Sequence, residues 1–98
     1  MKYDNKVRVF EIGKCYKQDT KYSKWYIMIL SNKYMEYQGI TIKESRFENY
    51  INFDSDIFQE PKEVKEIQET EFLEAKNRVL KLLEKRLSTD NHQPSTNQ

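Results

Sequence analysis

The period of the hydrophobic pattern changes once along this chain, near residues 60–61. Before that point, aromatic and β-branched residues alternate with polar ones in short runs, as they do in strands. After it, apolar residues recur at helical spacing. They are Phe72, Ala75, Val79, Leu82, Leu83 and Leu87. The sequence therefore predicts an α+β fold, in which a curved antiparallel sheet of four or five strands carries one long C-terminal helix packed on it.

The length of 98 residues is enough for one domain, which we predict over residues 1–87. A chain of this size buries only about two-thirds of its unfolded surface, so its core needs most of its apolar residues. Residues 88–98 contain no apolar side chain. We predict a flexible polar tail there, because nothing in it offsets the entropy cost of ordering.

Hydrophobic alternation and turn residues predict the bounds of the elements. Strands are expected at residues 7–12 (continuing over 14–18 past a bend at Gly13), 24–30, 34–43 (interrupted at Gly39), 47–53 and 64–67. For residues 64–67 the first turn of an early helix is the alternative to the strand that we favour. Connections are expected at residues 19–23, 31–33 and 54–56. The helix is expected to begin near residues 68–70 and to end near Leu87.

The predicted strand over residues 24–30 is apolar on both faces. The two faces are formed by Trp25, Ile27 and Ile29 and by Tyr26, Met28 and Leu30. We expect the first of these faces to pack against the helix. Because one helix covers one face only, the sheet must curl on itself, or a partner must cover its other face.

Composition gives expectations for source and location. Lysine supplies 13 of the 17 basic residues, and asparagine, isoleucine and tyrosine are abundant, which is common in low-GC bacteria and their phages. A single cysteine cannot form an internal disulfide, so a cytoplasmic location is expected. No apolar stretch resembles a signal peptide or is long enough to span a bilayer, which predicts no membrane association.

Residue types that carry catalysis are scarce. His92 is the only histidine and lies in the predicted tail, where it cannot be held in place as a base. Cys15 has no partner cysteine and no ordered histidine to activate it, so we expect a structural strand residue. Asp54 and Asp56 lack the rest of a calcium-loop pattern, and two glycines are too few for a phosphate-binding fingerprint. The sequence predicts a non-enzyme without cofactor or metal.

Lysines and aromatic residues interleave over residues 14–25. Lysines can follow a phosphate backbone while aromatic rings stack on bases, so this pattern indicates a nucleic-acid-binding small β-barrel as one alternative. The candidate residues are Lys14, Tyr16, Lys17, Lys21, Tyr22, Lys24 and Trp25. The same residue types also favour strands for packing reasons alone.

Carboxylates dominate residues 47–74, which hold nine acidic residues and two lysines, a net charge of −7. Such a region either is simply solvated or engages a basic surface of a partner protein. The candidate partner-binding residues, called the acidic band below, are Asp54, Asp56, Glu60 and Glu63. We favour a protein partner over nucleic acid, because the net charge of the chain is only +1 and arginine, the main reader of bases, is scarce.

The helix carries more leucine than one buried stripe needs. Leu73, Leu80 and Leu87 repeat every seven residues beside the core stripe. Wider burial against a curved sheet explains the repeat most simply, and a homodimer seam is the alternative. The chain is therefore expected to be a monomer, or a homodimer through the C-terminal helix.

Two segments resemble parts of a known class of small proteins. Residues 12–17, followed by Trp25-Tyr26-Ile27, look like the opening hairpin of small SH3-like proteins encoded by phages and mobile genetic elements. The pattern Ile67-x-x-x-Glu71-Phe72-x-x-Ala75 looks like their strand-to-helix ending. The resemblance implies an SH3-like roll and a non-catalytic factor that binds and modulates a host macromolecule, such as a defence-system component. An accessory subunit of a larger assembly is a further alternative.

Overall fold

The computed structural model describes residues 7–34 and 36–92 of the chain, with side chains described up to Leu87. Five strands, a short 3₁₀ helix and an α-helix follow one another along these residues. The strands are β1 (Cys15–Asp19), β2 (Ser23–Lys33), β3 (Glu36–Ser45), β4 (Tyr50–Asp56) and β5 (Lys65–Ile67). The 3₁₀ helix spans Pro61–Glu63, and the α-helix, α1, spans Glu69–His92.

The strands of the described residues form one antiparallel sheet in the order β4-β3-β2-β1-β5, and this sheet is not closed. The predicted α+β fold, with one long C-terminal helix on an antiparallel sheet, is confirmed. β2 is the central strand and pairs with both β1 and β3. The SH3-like character of the sheet stays a prediction.

The helix α1 packs on the face of the sheet that carries Tyr26 and Met28. The buried side chains of this first cluster are Cys15, Tyr26, Ile42, Phe72, Ala75 and Val79. The prediction that Trp25, Ile27 and Ile29 face the helix was wrong. Both faces of β2 are apolar, so alternation alone could not tell which of them the helix would cover.

The opposite face of the sheet is covered by chain segments from both sides of the strands. Its buried cluster consists of Phe10, Tyr16, Ile27, Ile29 and Val64. Phe10 comes from the segment before β1, and Val64 from the connector between β4 and β5. Irregular segments of the same chain therefore cover part of this face, which was expected to be covered only by curling of the sheet or by a partner.

Residues 7–12, predicted as a strand, form no strand. Only Phe10 of this segment is fully buried, and Val9 and Ile12 are exposed. A turn follows, in which Lys14 N–H donates to the Glu11 carbonyl at 3.1 Å. Gly13 adopts a φ of 90°, which favours glycine, so the segment bends back over the sheet instead of pairing with it.

The β2–β3 hairpin is longer than predicted. β2 continues through the expected connection at residues 31–33, and Lys33 pairs with Glu36. β3 is continuous through Gly39, which was expected to interrupt it, but its register with both β2 and β4 shifts next to this residue. A Cβ at Gly39 would fall on the Met28 carbonyl oxygen of β2, so glycine is required here for a close backbone approach rather than for a break.

The observed bounds of β4, β5 and α1 can also be compared with the predicted ones. β4 includes residues 54–56, which were expected to end it, whereas β5 forms within the predicted range 64–67. α1 begins within the predicted range and continues to His92, beyond the predicted end near Leu87. The first proline after Leu87 is Pro94, so no residue in between must stop a helix. Residues 93–98 of the predicted tail lie outside the described residues.

Candidate functional site

The predicted basic and aromatic residues of β1 are used in packing and ion pairs. Tyr16 is 1% exposed, and its hydroxyl accepts a hydrogen bond from the Glu11 N–H at 2.9 Å. Lys17 lies with its Nζ 3.4 Å from Glu71 Oε2 and 5.5 Å from the centre of the Tyr26 ring. Lys14 forms an ion pair with the Glu66 carboxylate of β5. Tyr16 therefore has no ring face available for stacking on a base.

Lys21, Tyr22 and Lys24 lie together at the turn between β1 and β2. They line an open depression of about 590 Å³, which also contains Arg46, Arg78 and Glu44. Tyr22 is exposed, and the Lys21 Nζ lies 5.3 Å from the centre of its ring. The structure thus brings together three of the seven predicted nucleic-acid residues, and places a carboxylate beside them.

Trp25 lies apart from that depression, on the face of the sheet opposite the helix. Its ring centre is 6.1 Å from that of Tyr50 in an edge-to-face arrangement, and the Lys43 Nζ lies 5.0 Å from its centre. Lys43 also binds Glu48 through an ion pair of 2.6 Å. This cluster was not predicted from the sequence, although Trp25 pairs with Lys43 and Lys43 with Tyr50 across three strands. The necessary signal was strand register, which spacing along one chain does not contain.

The Glu44 carboxylate at the depression has several hydrogen-bond partners. Arg78 donates to both of its oxygens, and the Tyr26 hydroxyl lies 3.4 Å from its Oε1. The hydrogen bond from Arg78 lowers the pKa of Glu44 below its ordinary value, although partial burial opposes the shift. Burial is the largest cause of the raised pKa of Tyr26. Arg78 and Glu44 join α1 to the sheet, and the Glu44 carboxylate reduces the positive potential of the depression.

The acidic band is divided between two places. Asp54 and Asp56 lie on β4, where Asp56 accepts a hydrogen bond from Gln38 Nε2 at 3.1 Å. Glu60 and Glu63 flank the 3₁₀ helix of the connector, and the Glu63 carboxylate accepts the Glu60 N–H at 2.8 Å. Glu63 therefore caps local structure, whereas Asp54 and Asp56 are exposed along a strand at the edge of the sheet.

Three phenylalanines lie exposed on β4 or close to it. Phe47 precedes the strand and is 80% exposed, Phe53 lies within it and is 61% exposed, and Phe58 follows it and is 84% exposed. The remaining phenylalanines of the chain, Phe10 and Phe72, are buried in the two clusters. We interpreted Phe47 and Phe53 only as strand formers, because periodicity does not show which face of an edge strand stays uncovered.

The heptad leucines of α1 are only partly covered. Leu73 and Leu87 are exposed, Leu80 is half-buried, and Leu82, predicted in the core stripe, is 48% exposed. The helix buries a narrower stripe than its leucine content predicted. A homodimer through this helix stays a prediction.

Cys15 is buried against α1. Burial raises the pKa of its thiol to about 11, with a smaller contribution from Glu69 and Glu66. Among the residues with described side chains, no three histidine, cysteine, aspartate or glutamate residues are placed to hold a metal ion together. Within the described part of the chain, no helix has the length and apolar character needed to cross a membrane.

Comparisons of this chain with protein-family models, with curated proteins and with solved structures found no match. The candidate sites therefore rest on the residues described above: the depression at the β1–β2 turn, and the surface formed by β4 with the segments next to it.

Proposed function

We propose that this chain is a small non-catalytic binding protein, and that its partner is another protein. The contact surface, called the β4 surface below, consists of β4 with Phe47 before it and Phe58 and the connector after it. One observation carries the proposal: Phe53 is largely exposed on the strand that also carries Asp54 and Asp56, and Phe47 before the strand and Phe58 after it are largely exposed as well.

Aromatic side chains next to charged ones are the usual composition of a protein interface. Phenylalanine is enriched at the centre of such interfaces, where its burial on binding supplies much of the affinity. Charged residues around the centre direct association and select the partner. Single exposed apolar side chains are common on any protein, but three exposed phenylalanines along one edge strand and the segments next to it favour a binding role.

The resemblance to SH3-like proteins of phages and mobile elements extends this proposal. On that basis the partner is a host protein, such as a component of a defence system, and the chain acts in the cytoplasm of the host cell. Modulation of the partner by occupation of its surface is the corresponding mechanism, since it needs no chemistry from this chain.

Nucleic-acid binding at the depression is the second candidate function. It is favoured by Tyr22, which is exposed next to Lys21 and Lys24, with Arg46 close by. It is opposed by Glu44, whose carboxylate lines the same depression and repels phosphate. A role as an accessory subunit of a larger assembly would use the β4 surface in the same way as a regulatory partner.

Site-specific photo-cross-linking tests the proposal. A photoreactive phenylalanine analogue replaces Phe53 or Phe58 in separate variants, and Tyr22 in a matched control that places the same probe at the depression. The variants are expressed in the cells that naturally carry the gene. We expect one discrete protein adduct from positions 53 and 58 and none from position 22.

The reverse pattern contradicts the proposal. An adduct that is formed only from position 22 and that is removed by nuclease would assign the function to nucleic-acid binding. A gel shift with the wild-type chain would then weaken steeply with salt, because phosphate contacts release counterions.

A further inference from the structure

β4 is the longer of the two edges of the described sheet. It has seven residues and pairs only with β3, whereas the opposite edge, β5, has three residues. An edge strand presents main-chain N–H and C=O groups that no neighbouring strand uses. Four of the seven residues of β4 are exposed, and among residues 7–34 and 36–92 no strand pairs with its outer edge.

The segment that contains β4 is acidic. Residues 47–63 contain five carboxylates and one lysine, a net charge of −4. The lysine, Lys62, lies in the connector with its Nζ 3.5 Å from Glu60. Lys43 of β3, which pairs with Tyr50, offsets one of these carboxylates through its ion pair with Glu48. Asp54 and Asp56 are both exposed on the strand itself. A strand that pairs with this edge is therefore stabilised by positive charges and destabilised by negative ones.

We propose that β4 accepts an extended segment of the partner protein as a sixth strand, and that this segment carries lysine or arginine together with apolar side chains. Main-chain hydrogen bonds to β4 supply affinity, and the carboxylates of Asp54 and Asp56 select cationic side chains. Phe53 provides an apolar contact for the same segment. This inference rests on the proposed function and defines the chemistry of its partner.

A second copy of this chain is a poor occupant of the same edge. Pairing of β4 with β4 would place side by side two strands that each carry Asp54 and Asp56, and like charges across paired strands are destabilising. The register of β4 with β3 shifts between Gly39 and Thr41, and at this bulge the Asp54 N–H already binds Asn52 Oδ1 at 3.1 Å. The proposed sixth strand therefore pairs with main-chain groups of β4 outside the bulge, and the Asp54 N–H is not among them.

Amide hydrogen exchange on the full chain tests the inference. The probe is an eight-residue peptide with blocked termini, in which lysine alternates with valine or threonine. Two control peptides have glutamate in place of lysine, or methylated main-chain nitrogens in place of the N–H groups. We expect the lysine peptide to slow exchange at amides of β4 and not of β5. Both control peptides should leave β4 unchanged, because each lacks one of the two proposed contributions.

Two double variants test whether the carboxylates of Asp54 and Asp56 contribute to peptide binding. Asp54→Lys with Asp56→Lys should weaken binding of the lysine peptide by about tenfold or more, since opposed charges become like charges. Glu74→Lys with Glu84→Lys makes the same change of net charge on exposed positions of α1 and should leave binding nearly unchanged.

The inference is overturned if the methylated peptide binds as well as its parent, since main-chain pairing would then play no part. It is equally overturned if β4 amides become protected with rising protein concentration and no peptide, which would indicate a second copy. Adducts at positions 53 and 58 without peptide protection of β4 would leave the proposed function intact and remove this inference. Protection of β4 by the peptide without adducts at positions 53 and 58 would support strand pairing at β4 and contradict the proposed function.

Discussion

Arg78 of α1 and Glu44 of β3 form a two-point ion pair across the junction of helix and sheet. Arg78 Nε donates to Glu44 Oε2 at 2.9 Å, and Arg78 Nη2 donates to Oε1 at 3.1 Å. The same Nη2 lies 3.2 Å from the Tyr26 hydroxyl. The pair therefore fixes the rotation of α1 over β2 and β3, because a two-point contact restricts orientation as well as distance.

This ion pair predicts a specific pH dependence of stability. The pKa of Glu44 is lowered in the folded protein from an ordinary value of 4.5, chiefly by the hydrogen bond from Arg78. The resulting stability is present above the unfolded pKa and is lost as pH falls through the lower, folded pKa. We expect Arg78→Met to cost about 0.5–1 kcal/mol near pH 7, a discounted value because the Arg78 side chain is 49% exposed.

The difference between wild type and Arg78→Met should shrink as the pH is lowered below the ordinary glutamate pKa, and urea unfolding across this range measures it. Arg86→Met, at an exposed position of the same helix, serves as control. A difference that stays constant with pH would show that Arg78 acts through packing on Tyr26 rather than through the charge of Glu44.

The first cluster predicts the response to truncation of α1. Val79 is fully buried between the helix and the sheet, so Val79→Ala should lower the free energy of unfolding by about 1–3 kcal/mol. Leu82→Ala removes more atoms from the same helix, but Leu82 is 48% exposed and should change stability by less than about 1 kcal/mol. Chemical denaturation of both variants gives the comparison. Equal losses would mean that α1 is not packed as described.

The two glycines predict unequal effects of alanine. At Gly39 an added Cβ would overlap the Met28 carbonyl oxygen and lie 3.1 Å from the Leu30 nitrogen, and both are main-chain atoms that cannot move away cheaply. At Gly13 an added Cβ would meet nothing within 4 Å, and the cost is only that of a positive φ, roughly 1–2 kcal/mol. We expect Gly39→Ala to be the more damaging variant, as judged by melting temperature. A Gly39→Ala protein as stable as wild type would rule out the close approach of β2 and β3.

Cys15 should be unreactive in the folded protein. Burial restricts access and raises the pKa of the thiol to about 11, so only about a thousandth of it is thiolate at pH 8. Alkylation by iodoacetamide should therefore be at least about 100-fold slower in native buffer than in urea, as followed by mass spectrometry. Rapid labelling of the native chain would instead indicate local opening between β1 and α1.

Local patterns were sufficient for the elements with strong periodicity. The apolar run of β2 and the helical spacing after Pro61 located the two central elements, and β5 was found from four residues. The segment over residues 7–12 was misassigned because its β-branched composition is that of a strand, although it buries only Phe10. The residue composition of a segment indicates that it could form a strand. It does not indicate whether a neighbouring strand is available to pair with it.

The candidate site was less accessible to prediction, since it depends on which chain segments cover which face. Tyr16 and Lys17 follow each other among the predicted nucleic-acid residues, yet the first is in the core and the second is paired with Glu71 of α1. Conversely, Phe53 is of a residue type that is usually buried, but it lies on an uncovered edge strand. Both outcomes follow from sheet order, which a single sequence does not specify.

The close approach of Gly39 to Met28 also determines how the β2–β3 hairpin can align. Gly39 lies opposite Ile29, at a position where a Cβ would overlap the Met28 carbonyl oxygen of β2. A slip of one residue in either direction would bring Gln38 or Ile40 to that position, where their side chains do not fit. The same slip would turn the side chains of one strand to the wrong face. Gly39 therefore favours this alignment of β2 with β3 over alignments shifted by one residue.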